Sequence, residues 1–213
     1  MSSRPKQPEP RPAPRLYLVT PPLAETAPFA TPLEAALGAA DVAAVLLRLA
    51  EADERTLINR IKLLAPVAQK HGAALLLDGH PNLVARGGAD GAHLRGLDAF
   101  SGALELLKPD RIAGAGDLDT RHDAMTAAEA GADYLMFGKA GEAIEAVCER
   151  VGWSAEVFEL PCVAFASSAD QVAPLVAAGA DFIALDWAWT DARGVADAVA
   201  KAAALARLPE TAA

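Results

Sequence analysis

A three-residue motif, Gly-Ala-Asp, recurs at Gly88, Gly131 and Gly179, each time just ahead of an apolar run. Gly38-Ala39-Ala40-Asp41 is a looser fourth copy. Around these points the chain alternates short apolar runs with segments of 3.6-residue periodicity, which reads as eight strands, each followed by a helix. The strand runs are Leu16–Thr20, Val42–Leu47, Ala73–Asp78, Ala89–Leu94, Arg111–Ala115, Asp133–Gly138, Pro161–Ala166 and Asp181–Asp186. They do not alternate polar with apolar residues, as expected of parallel strands covered by helices. The motif opens the second, fourth, sixth and eighth strands. That is the pattern of a closed (β/α)8 TIM barrel built from doubled units. An open doubly wound sheet is the alternative, but it usually has fewer strands and a recognisable switch-point loop. The expected architecture is therefore α/β, one barrel over residues 15–208, preceded by a disordered proline-rich tail over residues 1–14.

The joints agree with this reading. Thr31-Pro32 with Glu34 has the form of a helix start, with an N-cap, a first-turn proline and an early carboxylate. Ser168 and Gln171 have capping-box spacing. Gly72, Gly88, Gly131 and Gly179 fall where helices must stop and turn into strands.

Composition narrows the functional classes. With 19 basic and 28 acidic residues the 213-residue chain carries a net charge of −9, which gives no field to gather nucleic acid. Only 5% of residues are aromatic, so Ala, Val and Leu must fill most of the core. Two cysteines cannot build a disulfide framework or a four-ligand zinc site. No apolar run approaches the ~20 residues of a membrane span, and the tail lacks the apolar segment of a signal peptide. A cytoplasmic protein without membrane contact is expected, with self-association left open.

Barrels of this kind bind ligands where their strands end at the C-terminal face. Arg48, the one charged residue between Val42 and Ala50, suits a bidentate grip on phosphate or carboxylate, or else an ion pair at the rim. Asp78 and Asp98 follow neighbouring strands and could each give Mg²⁺ one carboxylate, although Asp98 also fits a helix N-cap. Asp117, Thr120 and Ser167 stand at the same face as candidate substrate-binding groups. His122 falls in the first turn of the fifth helix, as a catalyst or a solvent-facing residue. Lys139 could bind an anion, form a Schiff base or be a plain loop lysine. His93 lies inside the fourth strand and reads as a core histidine.

Leu16-Tyr17-Leu18-Val19-Thr20, Gly88-Ala89-Asp90-Gly91-Ala92-His93-Leu94, the stretch from Ala130-Gly131-Ala132-Asp133-Tyr134 to Phe137-Gly138, and Ala178-Gly179-Ala180-Asp181 occur in an order and spacing that resemble the thiamine phosphate synthases. The thiazole tautomerases share the pattern nearly as well. The resemblance implies a phosphate-binding barrel that ionises a hydroxymethylpyrimidine diphosphate with Mg²⁺ and captures the resulting cation on a thiazole phosphate nitrogen. Its substrates are small phosphorylated heterocycles.

Site residues carry over unevenly. The family's Gln-x-Arg-x-Lys on strand 2 falls on Leu46, Arg48 and Ala50, so the arginine alone is kept. Its Asn-Asp after strand 3 falls on Asp78 and Gly79, or a one-residue shift makes Asp78 the metal aspartate. The aspartate after strand 4 falls on Asp98. The strand-5 serine falls near Gly116 or Asp117, and only Lys139 stands near the missing strand-6 loop. Ala166-Ser167 replaces a glycine pair, and Asp186 stands near the final phosphate cradle. The implied activity is a synthase with a divergent site. A tautomerase-like or Schiff-base barrel using His122 or Lys139, and a non-catalytic binder of phosphorylated ligands, are the alternatives.

Overall fold

The computed structural model describes residues 12–207. The expected tail falls mostly on residues 1–11, outside the described residues; Pro12, Ala13 and Pro14 have no regular secondary structure. Eight strands follow: β1 (Arg15–Val19), β2 (Val42–Leu47), β3 (Ala74–Asp78), β4 (Gly91–Arg95), β5 (Ile112–Gly116), β6 (Tyr134–Phe137), β7 (Cys162–Ala166) and β8 (Phe182–Leu185). Helices α1 (Ala30–Ala39), α2 (Glu54–Gln69), α3 (Val84–Gly87), α4 (Leu97–Leu107), α5 (Arg121–Glu129), α6 (Ile144–Val157), α7 (Val172–Ala177) and α8 (Val195–Ala206) alternate with them. Every strand pairs in parallel with the next, and β8 closes on β1 through Leu16↔Ile183 and Leu18↔Leu185. The (β/α)8 barrel read from the sequence is the observed fold. No described helix is long and apolar enough to cross a membrane.

The lack of polar alternation in the strands has a direct cause. Successive side chains point to opposite faces, and here both faces are buried. On β1, Leu16 and Leu18 pack outward under the helices, while Tyr17 and Val19 point into the barrel. The interior holds three bulky rings, Tyr17, Tyr134 and Phe165. Strand β5, Ile-Ala-Gly-Ala-Gly, makes room for them. A Cβ at Gly114 would lie 2.0 Å from the Tyr134 ring. A low aromatic content thus suffices, because a few rings face a strand with almost no side chains.

The Gly-Ala-Asp repeat has a structural explanation. The glycines end helices in the left-handed region, at φ 78° for Gly88 and 99° for Gly131 and Gly179. Two residues on, each aspartate turns back to accept a backbone N–H from the strand before it. Asp90 Oδ2 accepts from Leu75 N at 2.8 Å, Asp133 Oδ2 from Ala113 N at 2.7 Å, and Asp181 Oδ2 from Cys162 N at 2.8 Å. The repeat therefore ties β3 to β4, β5 to β6 and β7 to β8. The looser copy differs: the Asp41 side chain pairs with Arg15 on the surface, and only its carbonyl accepts from Leu16 N. Asp181→Ala should remove the carboxylate that accepts from Cys162 N and cost about 1–3 kcal/mol. Asp41→Ala should cost under about 1 kcal/mol. Urea denaturation of the two variants tests the difference, and equal losses would show that the carboxylate is not the tie.

Three local expectations are corrected. Helix α1 begins at Ala30 after Phe29, with no side-chain cap, so Thr31 is inside the helix. Ser168 precedes a 3₁₀ turn without capping it; Gln171 Oε1 instead accepts from Ser167 N at 2.7 Å. Gly96, rather than Asp98, is the N-cap of α4.

Candidate functional site

A cavity of about 220 Å³ opens at the C-terminal end of the strands. Its floor is the top of the barrel interior: Val19, Leu46, Met136 and Phe165, with His93. Its rim is charged, because Arg48, Arg95, Asp117, Lys139 and Asp186 all sit at or just past strand ends. The site thus offers a water-poor floor for a ring and cations at the rim for an anion.

Arg48 follows β2 and is anchored by the turn after β1. Its Nε donates to Thr20 O at 2.5 Å, and its backbone N donates to Thr20 Oγ1 at 3.0 Å. Its Nη2 stands 3.9 Å from Asp186 Oδ2, a loose pair that leaves guanidinium N–H groups open to a ligand. Arg95 ends β4 and forks onto Asp78 at the end of β3, with Nε to Oδ1 at 3.0 Å and Nη2 to Oδ2 at 2.6 Å. Its Nη1 lies 3.8 Å from Asp117 Oδ2. Asp78 holds the guanidinium above its ordinary pKa, so this charge is permanent. Two non-glycine residues beside these groups, His80 (φ 54°) and Asp117 (φ 49°), occupy the left-handed region. Such strain costs about 1–3 kcal/mol and collects at functional sites.

Below the rim lies a buried polar chain. Tyr17 Oη and Tyr134 Oη are 2.9 Å apart, Tyr134 Oη is 3.0 Å from His93 Nδ1, and the His93 and Tyr134 rings stack at 5.7 Å and 9°. Burial raises both tyrosine hydroxyls well above their ordinary pKa and lowers His93 from 6.5 to about 4. The folded chain thus refuses a proton that the unfolded chain takes up below about pH 6.5. Stability supplied by neutral His93 is full above 6.5 and is lost as pH falls toward about 4. His93→Gln cannot titrate, and its stability measured by urea denaturation should fall less steeply across that window. Parallel curves for the two proteins would assign the acid sensitivity elsewhere.

A second, wider groove of about 710 Å³ adjoins the first and shares Arg48 and Asp186 with it. Phe29, Trp187 and Trp189 wall it, and Trp189 Nε1 is fixed by donating to Val19 O at 2.7 Å. The cation at Arg48 therefore stands between two ring-sized spaces.

The structure brings together Arg48, Asp117 and Lys139, with Asp78 joined to them through Arg95. It does not bring in four other candidates. Asp98 is exposed in the first turn of α4 and lines neither the cavity nor the groove. His122 is exposed in the first turn of α5, away from the cavity lining. The Thr120 hydroxyl is committed to capping α5, accepting from Asp123 N at 3.0 Å in a capping box. Ser167 belongs to the turn held by Gln171. Reading strand ends along the sequence places Arg95 at this face as it does Arg48, but assigns it no role. Tyr17 and Tyr134 stand in the segments that carry the family resemblance, but as ordinary strand residues they give no sign of their contact with His93.

Among the described residues no three His, Cys, Asp or Glu side chains form a ready-made metal site. Both Asp78 oxygens accept from Arg95 and Asp98 is exposed outside the cavity, so this pair is not free to hold Mg²⁺ as expected; Asp117 and Asp186 line the cavity, and Mg²⁺ arriving with substrate oxygens needs only one or two carboxylates.

The family model described as thiamine monophosphate synthase matches residues 16–187. The chain belongs to that family. Family membership places it among the transferases of thiamine biosynthesis. The thiamine-phosphate synthase of Rhodospirillum centenum is 40% identical over 195 residues, covering 87% of this chain and 94% of that protein. The one from Hyphomonas neptunium is 38% identical over 206 residues, covering 90% and 93%. Among solved structures, thiamine phosphate pyrophosphorylase from Pyrococcus furiosus superposes with a TM-score of 0.77 at 24% identity, over 90% of this chain and 95% of that one. A 3-hexulose-6-phosphate synthase reaches 0.69 at 14% identity, which reflects the shared barrel.

Proposed function

We propose that this member of the thiamine monophosphate synthase family joins a hydroxymethylpyrimidine diphosphate to a thiazole phosphate and releases diphosphate. The observation that carries the reading is the placement of Arg48, Arg95 and Lys139 around an apolar floor. A ring settles on Val19, Leu46, Met136 and Phe165, and its anionic group meets the rim cations. As the carbon–oxygen bond to diphosphate breaks, negative charge grows on the leaving group, where Arg48 and Arg95 already point their N–H groups. The floor keeps water from the cationic carbon, so the thiazole nitrogen is the nucleophile that captures it. Lys139, exposed on the turn after β6, closes over the anion. Mg²⁺ bound with the diphosphate would neutralise its charge, and the cavity carboxylates Asp117 and Asp186 are the ones placed to hold it. The acidic groups at the rim, Asp117 and Asp186, repel bare diphosphate and favour its magnesium complex.

The tautomerase-like alternative through His122 gains nothing from that residue's exposed place on α5. Incubating the purified protein with both substrates and Mg²⁺, and measuring thiamine phosphate and released diphosphate, tests the reading. Product is expected in equal amounts with diphosphate, at a rate that vanishes with a chelator. No product in excess Mg²⁺ would turn the reading to a binding barrel.

A further inference from the structure

The Tyr17–Tyr134–His93 chain has no part in holding the anion, yet it ends on the cavity floor. Its hydrogens can be assigned by requiring each to have an acceptor. If Tyr17 donates to Tyr134 and Tyr134 donates to His93 Nδ1, every hydroxyl hydrogen is used. If the chain runs the other way, the Tyr17 hydrogen has no acceptor among the described residues. The first arrangement leaves His93 Nδ1 as acceptor and puts its one proton on Nε2. No described residue bonds to Nε2, which is not sealed in the core either. It lies over bare backbone, because a Cβ at Gly116 would come within 2.6 Å of it. Among the described residues, His93 brings the only side-chain N–H to the floor that Val19, Leu46, Met136 and Phe165 form under the space a ring would fill.

We propose that His93 Nε2–H is a fixed hydrogen-bond donor to an unprotonated ring nitrogen of the bound heterocycle, with Tyr134 and Tyr17 as positioning residues that lock this tautomer. The proposal rests on the function above for the ligand class and adds how the floor selects it. A heterocycle with an acceptor nitrogen satisfies Nε2–H. A carbocycle of equal size leaves it unpaired, and buried donors discriminate strongly against ligands that cannot accept. Tyr134→Phe would keep the ring stack and remove the hydroxyl, so the imidazole could sample both tautomers.

The test uses two probes, the uncharged hydroxymethylpyrimidine alcohol and inorganic diphosphate with Mg²⁺, in titration calorimetry on the full chain. His93→Leu should weaken pyrimidine binding about tenfold to a hundredfold, Tyr134→Phe should weaken it several-fold, and His93→Gln, which keeps a donor, should restore most of it. Diphosphate binding should stay within about twofold throughout. Long-range ¹H–¹⁵N spectra of the wild type at neutral pH should show a proton on Nε2 and none on Nδ1, with mixed tautomers in Tyr134→Phe. This readout survives even if His93→Leu does not fold. A proton on Nδ1, or unchanged pyrimidine affinity in His93→Leu, would overturn the proposal, as would a wild type that does not bind the alcohol. Loss of coupling with pyrimidine binding intact would overturn the functional reading alone.

Discussion

Arg48→Ala is expected to lower kcat/KM for the coupling reaction by about a hundredfold while shifting the melting temperature by only a few degrees. Each charge-assisted hydrogen bond to a phosphate oxygen contributes about 1.5–3 kcal/mol, or roughly tenfold to a hundredfold in rate, and a guanidinium can make two at once. What the fold itself loses is smaller. The donation to Thr20 O and the 3.9 Å approach to Asp186 involve a side chain about a quarter exposed, and such contacts are worth about 1 kcal/mol or less. Arg48→Lys should recover part of the binding and little of the rate, because a point charge lacks the fork. Asp186→Asn should move the other way and strengthen binding of bare, Mg²⁺-free diphosphate, since a competing carboxylate leaves the same guanidinium. Steady-state kinetics beside thermal melts separate the two roles. An Arg48→Ala protein that unfolds easily, from a parent that binds no diphosphate, would make Arg48 a structural ion-pair residue.

The largest expected loss of stability comes from the smallest change. In Gly114→Ala the new methyl would fall 2.0 Å from the Tyr134 ring and 2.3 Å from its hydroxyl, so the ring must move. Overpacking of this kind costs about 1–3 kcal/mol. Displacing the hydroxyl from Tyr17 and His93 adds about 1–3 kcal/mol for buried groups left unpaired. For a domain of this size the melting temperature should fall by roughly 10 °C. Gly102→Ala is the control, because Gly102 sits inside α4 with open space around it, and alanine there should stabilise by about 0.5–1 kcal/mol. Calorimetric melting of both variants decides the matter. An unperturbed Gly114→Ala would mean that the barrel interior has slack.

The sequence carried the fold because barrel strands and their joints are local. The apolar runs, the positive-φ glycines and the aspartates that tie strand to strand all lie within a few residues of the motif that announced them. Helix starts read less well, since α1 begins on Ala30 through packing of Leu33 and Leu37 rather than through the Thr31 cap chemistry. The site was half legible. Arg48 and Lys139 reached the cavity because any residue just past a strand end is carried there. Thr120 and His122 do not reach it because a few residues further on the chain has already turned into α5, where capping claims Thr120 and solvent takes His122, the solvent-facing of its two readings. The Arg95–Asp78 fork and the His93–Tyr134 contact join different strands, and cross-strand register is invisible to a pattern read along one.

The aspartate ties divide the molecule in a way that bears on its tolerance to rewiring. Each joins residues only 15–20 positions apart, so loop closure is inexpensive and each pair of strands is a locally closed module. Arg15 and Arg207, near the two ends of the described chain, both direct their charge at Asp41, so those ends lie close together. The turn between α4 and β5, at Asp110, lies between two tied modules and at the opposite end of the barrel from the cavity. A circular permutant opened there, with the old ends joined, would keep all three ties on uninterrupted chain and leave the rim of the site untouched. One opened at Gly88 would sever the module that Asp90 closes.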